Sequence, residues 1–346
     1  VQALNMNGYW IFGGNLTVLA CSLLVVPALL DKPVQKWAAA AGGAALVLLP
    51  FVAYSFLPVT ALFTLSLLAV LCRRTAKLNR KDALYSLLGA AGALGIFLLW
   101  MLLYADLKGF IVYHFINNQF YYAHYIPFGF VAVFKSLRPS LLPANLVQTL
   151  AVCSLLLGSL ILLVRTRYKI AGLIAIAGLL SLDARDGTTF QNGTFVVAAL
   201  GFVAQMVPYW LNESRYKLST VSALLVVCSL LVGLHAVSTP FGEDYVQRKQ
   251  AGFHPFKKSD NLIDQKIREY AHPDERILVI PYNPNVYIEA DRLPIKKYHA
   301  YLPWEADYAK SPVAGYERDI CVDLPKNPPP VIYFDNWTVW GIWKPE

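Results

Sequence analysis

A chain of 346 residues that is 56% hydrophobic, only 15% charged and of mean hydropathy +0.45 is not an ordinary soluble domain, where about 25% of residues are charged. Its net charge of +8 is uneven, because residues 1–238 hold 16 Lys+Arg and 6 Asp+Glu while residues 239–346 hold 14 and 16. A basic excess confined to the apolar part reports membrane orientation and not nucleic-acid binding. The five cysteines, four of them in or at the ends of apolar runs, form no disulfide framework or metal motif, and neither metal nor cofactor is expected.

In chain order, the apolar runs predict membrane helices at Tyr9 to Leu30, Trp37 to Ala53, Tyr54 to Leu71, Ala83 to Tyr104, Leu146 to Val164, Ile170 to Leu182, Thr194 to Leu211 and Leu218 to Val237. A helix of about 20 residues spans a bilayer core, and the runs lack the polar alternation of barrel strands. The stretch from Trp37 to Leu71 reads either as two crossings or as one long span broken between Pro50 and Pro58. The basic connectors decide. Lys32 and Lys36, then Arg73, Arg74, Lys77, Arg80 and Lys81, then Arg165, Arg167 and Lys169, then Arg215 and Lys217 fall on alternate connectors only if that stretch crosses twice. These connectors are then cytoplasmic. The loops 105–145 and 183–193, and everything from about Thr239, are external. The chain opens on Val1 without the basic start of a signal peptide, and we expect it to begin partway through a longer protein.

The tail, 239–346, has a different composition. "SDNLIDQKIREYA" offers Ser259 or Asp260 as an N-cap to a helix with Leu262, Ile263, Ile267 and Tyr270 on one side. "RILVIPY" reads as a buried strand from Arg276 to Tyr282. A helix near Trp304 to Lys310 and a second short strand from Val331 to Phe334 complete a small external α/β domain. The fold class expected is therefore an α-helical polytopic membrane protein, residues 1–238, carrying a C-terminal α/β domain.

In "IREYAHPDERILVIPYNPNVYIEADRLPIKKYHAYLPW", the pieces Pro273 and Asp274, Ile277 to Ile280, Asn283 and Pro284, Tyr287 and Ile288, Arg292 and Pro294, and Lys297 and Tyr298 resemble the ending of the GT-C glycosyltransferases of the dolichyl-phosphate-mannose protein mannosyltransferase type. A second likeness is the order of parts from Lys81 to Tyr122: a basic connector, a Gly-rich apolar span, then "GFIVYHFINNQFYY". The resemblance implies a polyprenyl-phosphate sugar donor, an inverting transfer on the external face, and a glycan, lipid or protein acceptor. It also implies a general-base aspartate in the first external loop, which no residue here matches by motif.

Such a transfer needs a carboxylate to deprotonate the acceptor and donors to hold the phosphate. The external acids near the membrane are Asp106, Asp183 and Asp186, each of which also fits a helix end. Arg185, between Asp183 and Asp186, suits either phosphate or a local ion pair. In the segment "IVYHFINNQFYYAHYIPFG", a regular helix puts His114, Asn117, Asn118, Tyr121 and Tyr125 on one side. Two compatible readings remain open. The segment is an interfacial aromatic belt, or its amide, His and Tyr face, with Tyr122, lines a sugar or lipid-phosphate entrance. Lys108 either holds a phosphate or snorkels. Arg292, with Lys296, Lys297, His299 and Tyr301, either attracts anionic lipid or acceptor phosphate or is a solvated face. The readings from other classes are a transporter or lipid flippase, disfavoured by the tail and by the lack of mid-span acids and bases, and a membrane-anchored accessory subunit.

Overall fold

The computed structural model describes residues 9–73, 78, 80–126, 129, 146–183, 192–211, 261–295, 298, 300–336, 338–339 and 341. The chain is mostly helical with one small parallel sheet. It divides into two compact units, Val1–Leu107 with Ile126–Gly242, and Lys108–Tyr125 with Glu243–Glu346.

In the first unit, Phe12–Leu29, Tyr54–Leu71 and Arg80–Tyr104 are long and apolar enough to cross a membrane, and Lys36–Val52, Thr149–Arg165, Lys169–Leu180 and Thr194–Val207 are shorter apolar helices. The expected span from Leu218 to Val237 lies outside the described residues. Arg80–Tyr104 presents Leu84, Leu87, Leu88, Ile96, Leu99, Trp100, Leu102 and Leu103 at its surface. An exposed apolar patch of this extent needs an apolar neighbour.

The ends of these helices can be traced through their contacts. Helix Val26–Leu29 stops in a Schellman turn, with Lys32 N–H donating to Pro27 O (2.9 Å) and Asp31 N–H to Ala28 O (3.2 Å). Asp31 sits at φ 55°, a left-handed position that Asp tolerates. Its carboxylate accepts from Arg167 (2.8 Å) and from the Tyr168 hydroxyl (3.0 Å), so the connectors 31–35 and 166–168 share one end of the unit. Lys36 Nζ lies 5.5 Å from the Tyr85 ring centroid, which brings the start of Arg80–Tyr104 to that same end. Three basic connectors therefore meet there, as their alternation requires.

The stretch from Trp37 to Leu71 does reverse. Lys36–Val52 ends at extended Ala53, a single 3-10 turn Tyr54–Phe56 follows, and Leu57–Leu71 begins with Pro58 in its first turn. Ser66 Oγ donates to Ala171 O (2.8 Å). A Cβ on Gly178 would stand 3.0 Å from the Phe63 ring, so Leu57–Leu71 runs antiparallel to Lys169–Leu180. Its far end thus returns to the basic connectors. Close packing comes from small residues. A Cβ on Gly43 would meet Ser86 O at 2.1 Å, and one on Gly89 would meet Ala40 O at 2.0 Å, an approach of two backbones of the kind small residues permit in apolar bundles.

In the second unit, β1 (Arg276–Ile280) lies between β2 (Leu293–Pro294) and β3 (Ile332–Phe334), all parallel. Its near-continuous apolar run is the pattern of a strand covered on both faces. Ile277 and Val279 pack with Ile267, Ala271, Val286, Tyr287 and Ala290 on one side, and Leu278 and Ile280 with Tyr298 and Ile320 on the other. Helix Leu262–Tyr270 is capped by Asn261, whose Oδ1 accepts from Asp264 N–H (2.8 Å); Ser259 and Asp260 lie outside the described residues. The crossover from β1 to β2 is helix Pro284–Ala290, stopped by Asp291 at φ 55°. Strand and helix sit where the sequence puts them at Arg276 and at Pro303–Lys310. The two-residue β2, with a proline, carries no periodic signal.

Candidate functional site

The segment Lys108–Tyr125 groups with the tail, whereas its sequence reads as a loop of the helical domain. It is helical, but Ile111–Ile116 and Asn118–Tyr122 are π-helical turns, in which the backbone bonds skip to the fifth residue. Mixing these wider turns with ordinary ones brings residues four apart into register. Tyr113, Tyr121 and Tyr125, four or eight residues apart, form the row that bonds to the tail; Tyr121 and Tyr125 belong to the expected side, and Tyr113 does not.

Each tyrosine of that row has a partner. Tyr113 donates to Tyr316 O (3.2 Å), Tyr121 to Ser311 O (2.8 Å), and Tyr125 to the Asp307 carboxylate. Tyr308 receives the rings of Tyr113 (centroids 5.9 Å apart) and Tyr121 (5.3 Å), while Tyr122 meets Trp304 edge to face at 4.6 Å. Such pairs add about 0.5–1.5 kcal/mol each beyond burial. The partners come from helix Pro303–Lys310 and the loop after it. That helix starts at Pro303, and Glu305 accepts from the Leu302 N–H (3.0 Å), which holds its first turn.

The centre of the seam is Arg318. It pairs with Glu305 (3.2 Å), and its guanidinium lies 5.2 Å from the Tyr113 ring centroid and 5.0 Å from that of Tyr298. Burial pushes the Glu305 carboxyl above its ordinary range, and Arg318 pulls it part of the way back. At the edge of the seam, the hydrogen bond from Lys310, assisted by that from Tyr125, holds Asp307 below its ordinary range. Burial and the bond to Asp307 push Tyr125 up to about 12.

These shifts set a pH window for the seam. Asp307 stabilises the fold above the ordinary carboxylate value, about 3.9, and that contribution is lost as pH falls through its depressed value. Tyr125 acts in the opposite sense. Its contribution is complete below about 10, the ordinary tyrosine value, and is lost as pH rises toward about 12, where a phenolate would face a carboxylate. An ultraviolet difference titration of wild type against Tyr125→Phe should show one tyrosine ionising near 12 and absent from the variant.

The other expected residues fall as follows. Lys108 Nζ lies 3.4 Å from Ala314 O and 5.1 Å from the Tyr316 ring centroid, on the tail. His114 stacks on Phe110 (4.6 Å, 17° between planes). Asn118 turns back on its own helix, donating to His114 O (2.9 Å) and Tyr113 O (3.2 Å). Asn117 is 9% exposed, and its Oδ1 has no hydrogen-bond partner among the described residues. Arg292 is buried away from this seam, and its guanidinium donates to the carbonyls of Ala271, Ala290 and Asp291. It ties the end of helix Leu262–Tyr270 to the crossover, so its geometry is structural rather than phosphate-binding. Its neighbours Lys296, Lys297 and His299 lie outside the described residues. Asp183 closes the 3-10 turn Ser181–Asp183, Arg185 and Asp186 lie outside the described residues, and Asp106 is exposed.

Trp304, Asp307, Tyr308 and Arg318 were not singled out from the sequence. The available signal was the four-residue spacing of Tyr113, Asn117, Tyr121 and Tyr125, which neither a regular helix nor a strand explains. Where a parallel sheet would offer a ligand crevice at its strand ends, Asn283 Nδ2 donates to Asp335 across the opening (2.8 Å). Among the described residues no group of three or more His, Cys, Asp or Glu side chains could hold a metal. Compared with protein-family models, with curated proteins and with solved structures, the chain matches none.

Proposed function

We propose that this chain is part of a polytopic membrane glycosyltransferase of the GT-C type, which moves a sugar from a polyprenyl-phosphate carrier to a glycan, lipid or protein acceptor outside the cytoplasm, in a bacterial inner membrane. One observation carries the reading. Two segments far apart in sequence, Lys108–Tyr125 and the tail, which the connector charges lead us to read as external, form one unit held by three tyrosine hydroxyls and Arg318. A folded, aromatic and hydrogen-bonding unit suits the recognition of a sugar, with its apolar C–H face and its hydroxyls. Further support comes from the apolar surface of Arg80–Tyr104 and from the three basic connectors gathered at one end.

The chemistry would divide among this chain's residues as follows. In the unit of Lys108–Tyr125 and the tail, the partly exposed Tyr121 and Tyr122 offer rings to neutral sugar and Lys108 offers a cation; in the helical unit, taken by itself, Asp183 and Asp186 are the chain's own candidates for a base and Arg185 for a phosphate ligand. The full-length protein in membranes should transfer labelled sugar from polyprenyl phosphate when offered hexose and pentose donors in turn. Absence of transfer with every donor would favour the accessory-subunit reading.

A further inference from the structure

Helix Pro303–Lys310 places Trp304 and Asp307 three residues apart, hence on one side. Around them stand Tyr122 (4.6 Å from Trp304 by ring centroids) and Tyr125 (6.2 Å). Trp304, Tyr122, Tyr125 and Asp307 are each partly exposed. This corner of the seam keeps polar capacity in reserve. The Trp304 indole N–H has no acceptor among the described residues. Asp307 accepts from Lys310 on one oxygen (2.6 Å) and from Tyr125 on the other, and since each carboxylate oxygen has two lone pairs, one remains on each. An ionised carboxylate with two spare acceptor positions, an indole donor and flat rings match one ligand class well. A pyranose has an apolar face of C–H bonds bordered by hydroxyls, and such sites combine aromatic walls with a few placed polar groups.

We propose that Trp304, Asp307, Tyr122 and Tyr125 form a subsite for a neutral pyranose, with the ring against the indole and two neighbouring hydroxyls donating to the Asp307 carboxylate. Its place in the reaction rests on the glycosyltransferase reading, and its binding chemistry does not. No covalent step is involved. The ring belongs either to the acceptor glycan or to the sugar carried on the lipid.

The test is saturation-transfer NMR on the full-length protein in detergent with a panel of methyl hexopyranosides. At least one should bind through its ring C–H protons. Trp304→Ala and Asp307→Asn should bind about tenfold more weakly, the scale of losing a hydrogen bond to a charged group, with Trp304→Phe retaining binding as evidence that the unit is folded. Failure of every pyranoside to bind, or equal binding by wild type and both weakened variants, would overturn the subsite. Binding without transfer from any polyprenyl-phosphate donor would leave the subsite standing and remove the proposed function. Where transfer occurs, competition by the bound pyranoside that raises the acceptor KM assigns the ring to the acceptor, and competition that raises the donor KM assigns it to the lipid-borne sugar.

Discussion

Gly89→Leu should destabilise the helical unit by about 3 kcal/mol or more, whereas Gly92→Ala, three residues along the same helix, should be neutral or mildly stabilising. A Cβ at Gly89 would meet the Ala40 backbone, with its carbonyl oxygen at 2.0 Å, while a Cβ at Gly92 meets nothing within 4 Å. Overpacking normally costs about 1–3 kcal/mol because side chains can shift. Here the obstacle is a main chain, and on the same helix as Ala40 a Cβ added at Gly43 would likewise meet Ser86 O, so two helices must separate along their length. At Gly92 the propensity gain of Ala over Gly, about 1 kcal/mol at most, is unopposed. Thermal midpoints of the three proteins in detergent check both expectations. Equal midpoints for Gly89→Leu and wild type would refute the close approach.

Arg318→Met should cost the second unit about 3 kcal/mol and release the Lys108–Tyr125 segment. Removing one partner of a buried pair leaves the other unpaired, typically at about 3–5 kcal/mol. Glu305 softens that loss, since burial already pushes its carboxyl toward the neutral form. Against this, the guanidinium also holds Tyr113 and Tyr298, contacts worth up to about 2 kcal/mol each when desolvated. A lysine cannot replace a planar group stacked between rings, so Arg318→Lys should rescue little. The double change Glu305→Gln with Arg318→Met should recover part of the loss. Hydrogen exchange of the amides from Val112 to Tyr125 reads the release directly, rising in Arg318→Met and falling back in the double variant.

Much of the helical unit was legible because hydropathy and connector charge act over whole helices. The alternation of basic connectors required the reversal between Trp37 and Leu71, and the Ser66 to Ala171 bond locates the returning helix. β1 was legible because a strand covered on both faces is apolar at every position. What escaped the sequence depends on partners distant along the chain. Nothing local in "YHFINNQFYYAHY" announces π-helical turns, so a regular helical wheel leaves Tyr113 out of the side that carries Tyr121 and Tyr125. Arg292 looked like part of a basic cluster, because the carbonyls that bury its guanidinium belong to Ala271 and its neighbours across the fold. Trp304 and Asp307 lacked any motif, and they gain meaning only beside Tyr122 and Tyr125.

The proposed sugar transfer on the external face has a direct test. Transfer should be measured with the full-length protein in sealed vesicles of both orientations, using labelled polyprenyl-phosphate sugar in the membrane and an acceptor that cannot cross it. Right-side-out vesicles should glycosylate the added acceptor and inverted vesicles should not. The reverse result, or labelling independent of orientation in vesicles shown to be sealed, would contradict the account.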